Sequence, residues 1–308
     1  MKSIILLLFI THIGFSSCNR SNITDLTNQR LIEGEQLNNQ KNFKSVTTIV
    51  YDAKQEFDKL MKGKLIEKTV EKFSVKGILI DKSTFDENCS LCVKDSYDYY
   101  DNGKLKKKIH IVMVKHKLDT TIIEFASDGG ILKKTNDTED YDNKGNIIRT
   151  GKLGYHTSFG YNQNSKLISD TSFSSGKIFD INNYSFNDIG QKSEAIRYLY
   201  GKPDKKTIYQ YDNRGLLIKE NYIKADGKPD LIDEIRYRYN SHGNVIEMIK
   251  FWFIEVLIYK YEYEYDEYGN WVRKIDNRPF CAIGGIFTGK EYDGSPEKIT
   301  ERQIEYYR

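Results

Sequence analysis

The sequence predicts an all-β protein, an elongated antiparallel meander of repeated β-hairpins. One sequence motif occurs three times, as Y-Q-Y-D-N-R-G-L-L-I-K from Tyr209, Y-R-Y-N-S-H-G-N-V-I-E from Tyr237 and Y-E-Y-D-E-Y-G-N-W-V-R from Tyr263. Alternating aromatic residues, a glycine-containing turn and a second apolar run are typical of two strands joined by a turn. The period of about 26 residues indicates a repeat array. No helical crossover separates the strands, so neighbours are expected to be antiparallel.

Each repeat is expected to form a hairpin with a bulged turn. In Asp212–Gly215 the aspartate suits the first turn position, and glycine adopts a positive φ at the lowest cost. The rings of Tyr209 and Tyr211 lie on one face of the strand because side chains alternate. A second signal, Gly201-Lys202-Pro203-Asp204, recurs as residues 227–230 and predicts a turn on the far side of each hairpin.

Weaker copies extend the pattern toward the N-terminus. Their core aromatic residues are expected at Tyr100, Phe125, Tyr141, Tyr161 and Phe186, followed by Tyr211, Tyr239 and Tyr265 of the strong copies. Beyond Tyr141 these aromatic residues recur about every 25 residues, which favours one continuous array.

These residues resemble the YD-repeat family, also called RHS repeats, whose unit reads Y-x-Y-D-x-x-G-x-L-x-x. The resemblance covers residues 97–308; asparagine replaces the aspartate at Asn162, Asn187 and Asn240, and Ser165 replaces one glycine. It implies an extended β-sheet that serves scaffolding, encapsulation or recognition in bacterial envelope proteins, toxin-delivery proteins and animal adhesion receptors. The resemblance implies no catalytic residue.

The N-terminal sequence predicts localisation at the bacterial cell envelope. Residues 1–17 contain Lys2, an apolar run and Gly14-Phe15-Ser16-Ser17 before Cys18, the layout of a secretory signal peptide. The cysteine makes it resemble a lipoprotein signal, which implies lipidation at Cys18; an ordinary cleaved signal is the alternative. Residues 18–42 are then a lipidated cysteine and polar tether, which would anchor the protein to a membrane facing the periplasm or the cell surface.

Residues 43–96 are expected to cap the repeat domain, which spans residues 97–308. Ala53, Phe57, Leu60 and Met61 have helical spacing and predict a short N-terminal helix within residues 51–62. The apolar residues from Val70 to Ile80 favour strands instead.

The cysteines predict a disulfide rather than a reactive centre. Cys89-Ser90-Leu91-Cys92 has the spacing of a redox dithiol or half a zinc site, but no second such pair is present. In an oxidising compartment, Cys89 pairs with Cys92, or one of them pairs with Cys281.

The sequence favours a non-enzymatic binding or scaffold module at the envelope, with a protein or polysaccharide as ligand. It contains no H-E-x-x-H, G-x-S-x-G or P-loop motif, and no cofactor or metal is expected. The net charge is only +3, with residues of both signs, which argues against a nucleic-acid ligand. Tyr268 and Trp271 are expected near solvent as ligand-binding rings, with a ring folded back on its own hairpin as the alternative. The Phe280–Asp293 loop is the next candidate, because the segment from Pro279 to Pro296 breaks the repeat. The alternatives are an envelope carbohydrate-active enzyme and a toxin-system immunity or accessory lipoprotein.

Overall fold

The computed structural model describes residues 43–57, 59–114, 117–125, 131–134, 139–142, 146–152, 154–164, 166–224, 229–252, 255–281 and 293–307. These residues form strands and no helix, which confirms the all-β class. The signal peptide, Cys18 and the tether lie outside them. The strands are β1 (Phe43–Glu56), β2 (Lys59–Phe73), β3 (Leu79–Phe85), β4 (Leu91–Tyr99), β5 (Leu105–Val114), β6 (Lys117–Phe125), β7 (Ile131–Lys134), β8 (Glu139–Tyr141), β9 (Ile147–Lys152), β10 (Tyr155–Tyr161), β11 (Leu167–Ser174), β12 (Lys177–Phe186), β13 (Lys192–Leu199), β14 (Lys202–Tyr211), β15 (Leu217–Lys224), β16 (Pro229–Tyr239), β17 (Val245–Trp252), β18 (Glu255–Tyr265), β19 (Trp271–Asn277), β20 (Phe280–Cys281) and β21 (Pro296–Tyr306).

The strands pair as an antiparallel meander that brings its two ends together. Consecutive strands are neighbours from β1 to β7 and from β8 to β19. The last strand, β21, returns to lie between β19 and β1. The sheet therefore joins the first and last strands of the described chain, and the predicted meander of hairpins is confirmed.

One turn geometry recurs along the chain. The Asp212 N–H donates to the Leu216 carbonyl (2.9 Å) and the Gly215 N–H to the Asp212 carbonyl (3.0 Å). Asp212 Oδ1 accepts the N–H groups of Arg214 (2.9 Å) and Leu216 (2.8 Å). Gly215 has φ 82°, and the strand register shifts just before Tyr211. The predicted bulged hairpin is therefore confirmed.

The same backbone bond from the first to the fifth turn residue closes further turns, which begin at Ser74, Asp86, Tyr100, Asp142, Asn162, Asn187, Asn240 and Asp266. Asparagine replaces aspartate without loss of the turn because its side-chain oxygen accepts the same N–H groups. One predicted core position is wrong by a residue: Tyr99 pairs with Leu105, whereas Tyr100 begins the turn.

Consecutive turns alternate between the two ends of the sheet. The Asx-turn end carries the turns that begin at Ser74, Tyr100, Asp142, Asn162, Asn187, Asp212, Asn240 and Asp266. The tight-turn end carries the Asp86 turn, two-residue turns at 175–176 and 200–201, and the connections from Glu56 to Lys59 and from Lys152 to Tyr155.

The tight turns correct one predicted boundary. Tyr200 and Gly201 have φ 49° and 76°, and Ser175 and Gly176 have φ 50° and 75°, the two positive values of a type I′ turn. Lys202 begins β14, so the turn predicted at Gly201–Asp204 occupies residues 200 and 201 instead. Of the predicted second copy, residues 227–230, the first two lie outside the described residues, and Pro229 begins β16.

The predicted N-terminal helix is wrong. Residues 51–62 belong to β1, β2 and the turn between them, and Phe57 at the turn is 98% exposed with φ 49°. Met61 is exposed as well, so the helical spacing does not mark a buried helix face. Both edges of β1 are paired, which places the start of the expected cap segment inside the sheet. The domain boundary at residue 97 stays a prediction.

The two faces of the sheet differ in chemistry because side chains alternate along each strand. The apolar face buries Leu217, Ile235, Tyr237 and Val245, against which further tyrosines pack. A second apolar cluster joins the first and last strands, where the Phe43 ring lies 6.1 Å from that of Phe73. The opposite, charged face carries cross-strand ion pairs, namely Lys206–Glu194, Lys219–Glu234, Arg238–Glu247 and Arg273–Glu264.

Tyrosine hydroxyls tie successive hairpins together at the Asx-turn end. The Tyr211 hydroxyl donates to the Lys192 carbonyl (2.8 Å), and the Tyr239 hydroxyl to the Leu217 carbonyl (2.6 Å). Each acceptor residue is the one paired with the core aromatic residue of the preceding hairpin, as Leu217 is with Tyr211. Tyr99 and Tyr161 make the equivalent bonds. In these four hairpins tyrosine adds a hydrogen bond that phenylalanine, as at Phe186, cannot make.

Candidate ligand-binding site

The hairpin repeat is interrupted between β19 and β21. Strand β18 pairs with β19 along Tyr261–Tyr265 and with β20 at Leu257 and Ile258. Arg278 and Pro279 connect these two pairings without belonging to either strand. Asp293 forms an isolated bridge with Phe280 and brings the returning chain against this break.

A cavity of about 340 Å³ opens at this break, lined by Ile258, Lys260, Asn277, Arg278, Phe280 and Gly294. Leu257 is buried, so alternation places its neighbour Ile258 and then Lys260 on the charged face. Phe280 leaves about half of its side chain exposed. The cavity thus combines a solvent-accessible ring with cationic side chains.

The surroundings of the cavity contain both charges. Ser295 lowers the pKa of the Asp293 carboxyl group through hydrogen bonds from its hydroxyl and its N–H, and the charge of Arg278 lowers it further. The Ser295 N–H lies 2.9 Å from Asp293 Oδ1. The Asn277 amide donates to Glu262 (3.2 Å) at the cavity edge. Lys260 and Arg278 therefore place positive charge at the cavity, where Glu262 accepts a hydrogen bond from Asn277 and Asp293 accepts one from Ser295.

A second polar cluster lies on the apolar face around Glu220. The buried Glu220 carboxylate accepts the hydroxyl groups of Tyr222 and Tyr237, each at 2.6 Å. Burial, reinforced by the charge of Glu220, raises the pKa of both tyrosines. Burial also lowers the pKa of Lys192 and Lys250, an effect that the charge of Glu220 opposes. The tyrosines therefore stay protonated as hydrogen-bond donors.

Asp170 forms a similar cluster four strands away. It accepts the Tyr184 hydroxyl (2.5 Å) and the Asn182 amide (2.9 Å), one at each carboxylate oxygen. Each oxygen of Glu220 likewise accepts one hydroxyl. These buried carboxylates are already supplied with donors from the sheet, which is the arrangement that stabilises buried polar groups.

The other titratable groups are dispersed. His110 Nδ1 lies 2.7 Å from Asp95 Oδ1 as a cross-strand pair. Within the described ranges, no three His, Cys, Asp or Glu side chains come together as a metal site. The described chain also contains no helix with the length and apolar character needed to cross a membrane.

The two rings predicted as ligand contacts lie in different environments. Trp271 is only 7% exposed, so the expectation of a ring near solvent is wrong, and the alternative of a ring packed against its own hairpin is correct. It is the first residue of β19, where the Tyr263 ring lies 6.1 Å away and the Arg302 guanidinium stacks at 3.5 Å from the ring centroid. Tyr268 is half-exposed within the turn, and its ring lies 4.7 Å from that of Tyr306. Trp271 and Tyr268 therefore do not form a shared exposed surface for a ligand.

The predicted Cys89–Cys92 disulfide is not formed: Cys89 is an exposed free thiol, whereas the Cys92 thiol donates to the Ser90 carbonyl (3.7 Å). Cys89 is exposed with φ 59° and takes the position that glycine occupies in the Asp212 turn, whereas Cys92 is buried on β4. The C-x-x-C spacing thus reflects a turn followed by a strand. The Cys281 side chain and Cys18 lie outside the described structure.

Sequence reasoning found part of the cavity. The break in the repeat between Pro279 and Pro296 marked the loop that contains Phe280 as a candidate. Ile258, Lys260 and Asn277 were missed because they lie in strands that keep the repeat pattern. Their position beside Phe280 follows from the pairing of β18 with β20, which no local motif marks.

No protein-family model and no curated protein matches the chain. The Photorhabdus luminescens Tc holotoxin pore is 11% identical with TM-score 0.34, over 73% of this chain and 15% of the toxin chain. A porin-like protein from Bacteroides uniformis is 10% identical with TM-score 0.40, over 85% and 98%. A LolA superfamily protein from Nitrosomonas europaea is 10% identical with TM-score 0.18, over 91% and 93%. This chain thus spans about 15% of the toxin chain. None of these similarities assigns a function.

Proposed function

We propose that the protein is a membrane-anchored, non-catalytic repeat lipoprotein that acts as a binding or scaffold module at the bacterial envelope. Its ligand is a protein or a polysaccharide, held at the cavity beside β18, where the repeat breaks between β19 and β20. The observation that carries the proposal is the half-exposed Phe280 ring beside Lys260 and Arg278, at the position where the repeat is interrupted.

The chemistry of the cavity supports recognition. An exposed aromatic ring stacks on the apolar face of a sugar or anchors a partner side chain. Lysine and arginine donate charge-assisted hydrogen bonds to carboxylate or phosphate groups of such a ligand. Loops on a rigid sheet are a common location for binding residues.

The buried carboxylates support the non-catalytic part of the proposal. Both oxygens of Glu220 and both oxygens of Asp170 accept hydrogen bonds from tyrosine or asparagine. A carboxylate that acts as acid or base must reach its substrate within hydrogen-bond distance. These groups lie within the packed apolar face instead.

The binding test uses the chain from residue 19 onward, screened against envelope polysaccharides and envelope proteins for both binding and product release. We expect binding without product, and a loss of about tenfold for Phe280→Ala. Ile189→Ala removes an exposed apolar side chain elsewhere and should bind normally. Loss of binding in Tyr268→Ala, but not in Phe280→Ala, would place the site at the turn and contradict the cavity.

Product release would favour the carbohydrate-active enzyme instead. Product that disappears in Glu220→Gln or Asp170→Asn, with the fold intact by circular dichroism, would contradict the non-catalytic proposal.

The membrane anchor has an independent test. Metabolic labelling with a radiolabelled fatty acid should mark the wild-type protein and not Cys18→Ala. Equal labelling of the two proteins would rule out Cys18 as the lipid attachment site.

A further inference from the structure

Three adjacent tight turns are tied together at one end of the sheet. The Ser175 N–H donates to the Gly154 carbonyl (2.5 Å), and the Tyr200 N–H donates to the Phe179 carbonyl (2.8 Å). The rings of Tyr155 and Phe179 lie 5.4 Å apart. The side chains that these turns present, here called the apolar rim, are Tyr155, Ile178, Phe179 and Tyr200.

Three side chains of the apolar rim are exposed although they are aromatic or aliphatic. Tyr200 is 77% exposed, Tyr155 58% and Ile178 45%. Tyr200 also has φ 49°, a conformation that glycine and asparagine adopt more readily than a bulky residue. A position shaped only by turn formation would favour one of those two residues. An exposed ring in an unfavourable conformation is better explained by a surface contact than by turn formation.

Positive charge accompanies the apolar rim. Lys177 and Lys202 each follow a turn glycine and are exposed. The acids closest in sequence, Asp180 and Asp204, are both engaged by Arg197, at 2.7 Å and 3.6 Å. The exposed lysines therefore set the charge presented beside the rings.

We infer that the apolar rim inserts into the headgroup region of a bilayer that contains anionic lipid. Tyrosine rings settle at the membrane–water interface, and exposed lysines are attracted to anionic headgroups. The aliphatic Ile178, on β12 between the strand that carries Tyr155 and the turn that carries Tyr200, matches a bilayer better than a polysaccharide, because the acyl boundary accepts apolar side chains. The inference rests on the proposed membrane location and extends it by naming the surface that meets the lipid.

The tether is long enough for this orientation. Phe43 begins β1 at the Asx-turn end, beside Tyr306, and β1 has 14 residues. A strand of that length spans about 46 Å at about 3.3 Å per residue. Residues 19–42 extend to at most about 80 Å. A lipid on Cys18 therefore leaves enough chain for the opposite, tight-turn end to reach the same membrane.

The test is co-sedimentation of the chain from residue 19 onward with vesicles of phosphatidylglycerol and phosphatidylcholine in equal parts. Vesicles of phosphatidylcholine alone are the lipid control. We expect binding to the anionic vesicles that weakens with salt. The rim variant, Tyr155→Ser with Ile178→Ser and Tyr200→Asn, should bind about tenfold more weakly or less. The matched control, Val75→Ser with Ile189→Ser and Tyr268→Ser, removes exposed apolar side chains from the Asx-turn end and should bind like the wild type.

A second variant keeps the inference testable if the rim variant is unstable. Lys177→Gln with Lys202→Gln changes only exposed side chains and should lower binding to anionic vesicles while leaving the thermal melt unchanged. Absence of vesicle binding by the wild type, equal binding by the rim variant, or rim-dependent binding to a soluble anionic polysaccharide in place of vesicles would overturn the inference. Fatty-acid labelling at Cys18 without vesicle binding would leave the proposed anchor intact and refute the apolar rim alone.

Discussion

The two ends of the sheet form their turns with different residues. At the Asx-turn end, an aspartate or asparagine oxygen satisfies turn N–H groups and a glycine adopts the positive φ, as at Asp212 and Gly215. At the tight-turn end, Phe57 and Tyr200 adopt positive φ although both are bulky and exposed. The first arrangement lowers the cost of each turn, whereas the second raises it. The residues of the Asx-turn end therefore stabilise the fold. Those of the tight-turn end are better explained by a contact at the surface.

Tyrosine hydroxyls reinforce this contrast. Hydroxyl groups such as that of Tyr239 connect one hairpin to the next at the Asx-turn end. The Tyr200 ring, in contrast, points its bulk into solvent at the tight-turn end. Substitutions at matched positions of the two ends should therefore have opposite effects on stability.

The largest effect is expected at a turn glycine. Gly215→Val places a β-branched residue at φ 82°, and its Cβ would lie 2.9 Å from the Gln191 amide nitrogen. We expect a loss of about 1 to 3 kcal/mol in the free energy of unfolding, measured by urea denaturation. Arg214→Ala, in the same turn, should cost less than about 0.5 kcal/mol because the side chain is exposed. Equal losses in the two variants would show that the turn conformation is not the cause.

A smaller loss is expected for the hydroxyl bond between hairpins. Tyr239→Phe removes the donor to the Leu217 carbonyl and should lower the free energy of unfolding by about 1 kcal/mol. Tyr200→Phe is the matched control at the tight-turn end and should be neutral, since its ring is mostly exposed. An unchanged free energy of unfolding in Tyr239→Phe would show that the hydroxyl bond does not contribute to stability.

Relief of the strained tight turn should stabilise the protein. Tyr200→Asn keeps the φ of 49° accessible and loses few contacts, so we expect a gain of about 0.5 to 1 kcal/mol by thermal unfolding. The same variant should bind anionic vesicles less well. A destabilised Tyr200→Asn would mean that the ring contributes packing, and would weaken the contrast between the ends.

The smallest effect concerns the Asp86 turn, which has the Asx geometry but lies at the tight-turn end. Cys89 takes the glycine position there with φ 59°. Cys89→Gly should raise the free energy of unfolding by about 0.5 kcal/mol, since the relief of strain exceeds the entropy that glycine adds to the unfolded chain. Cys89→Ala should give no gain, because alanine keeps the side chain that disfavours this φ.

The candidate site divides along similar lines. Phe280 was within a loop that the sequence marked by its break in the repeat, with Pro279 and glycines replacing the aromatic pattern. Lys260 carried no signal, because it occupies an ordinary strand position and gains its role only from the return of β20. Trp271 carried a misleading signal, since a residue next to a turn was expected at the surface but packs against Arg302.

The sequence by itself determined the local unit of this protein: hairpins with alternating faces and an Asx turn closed by glycine. Those features are encoded within a few contiguous residues, so the chemistry of Asp212–Gly215 predicts the turn without knowledge of the rest. Only the tertiary structure decided that β21 lies between β19 and β1, and that residues 51–62 form a hairpin instead of a helix. These outcomes depend on partners far apart in the chain, such as Phe43 against Tyr306. Burial of such partners selects the strand pairing, and no local pattern records which distant surface a strand will meet.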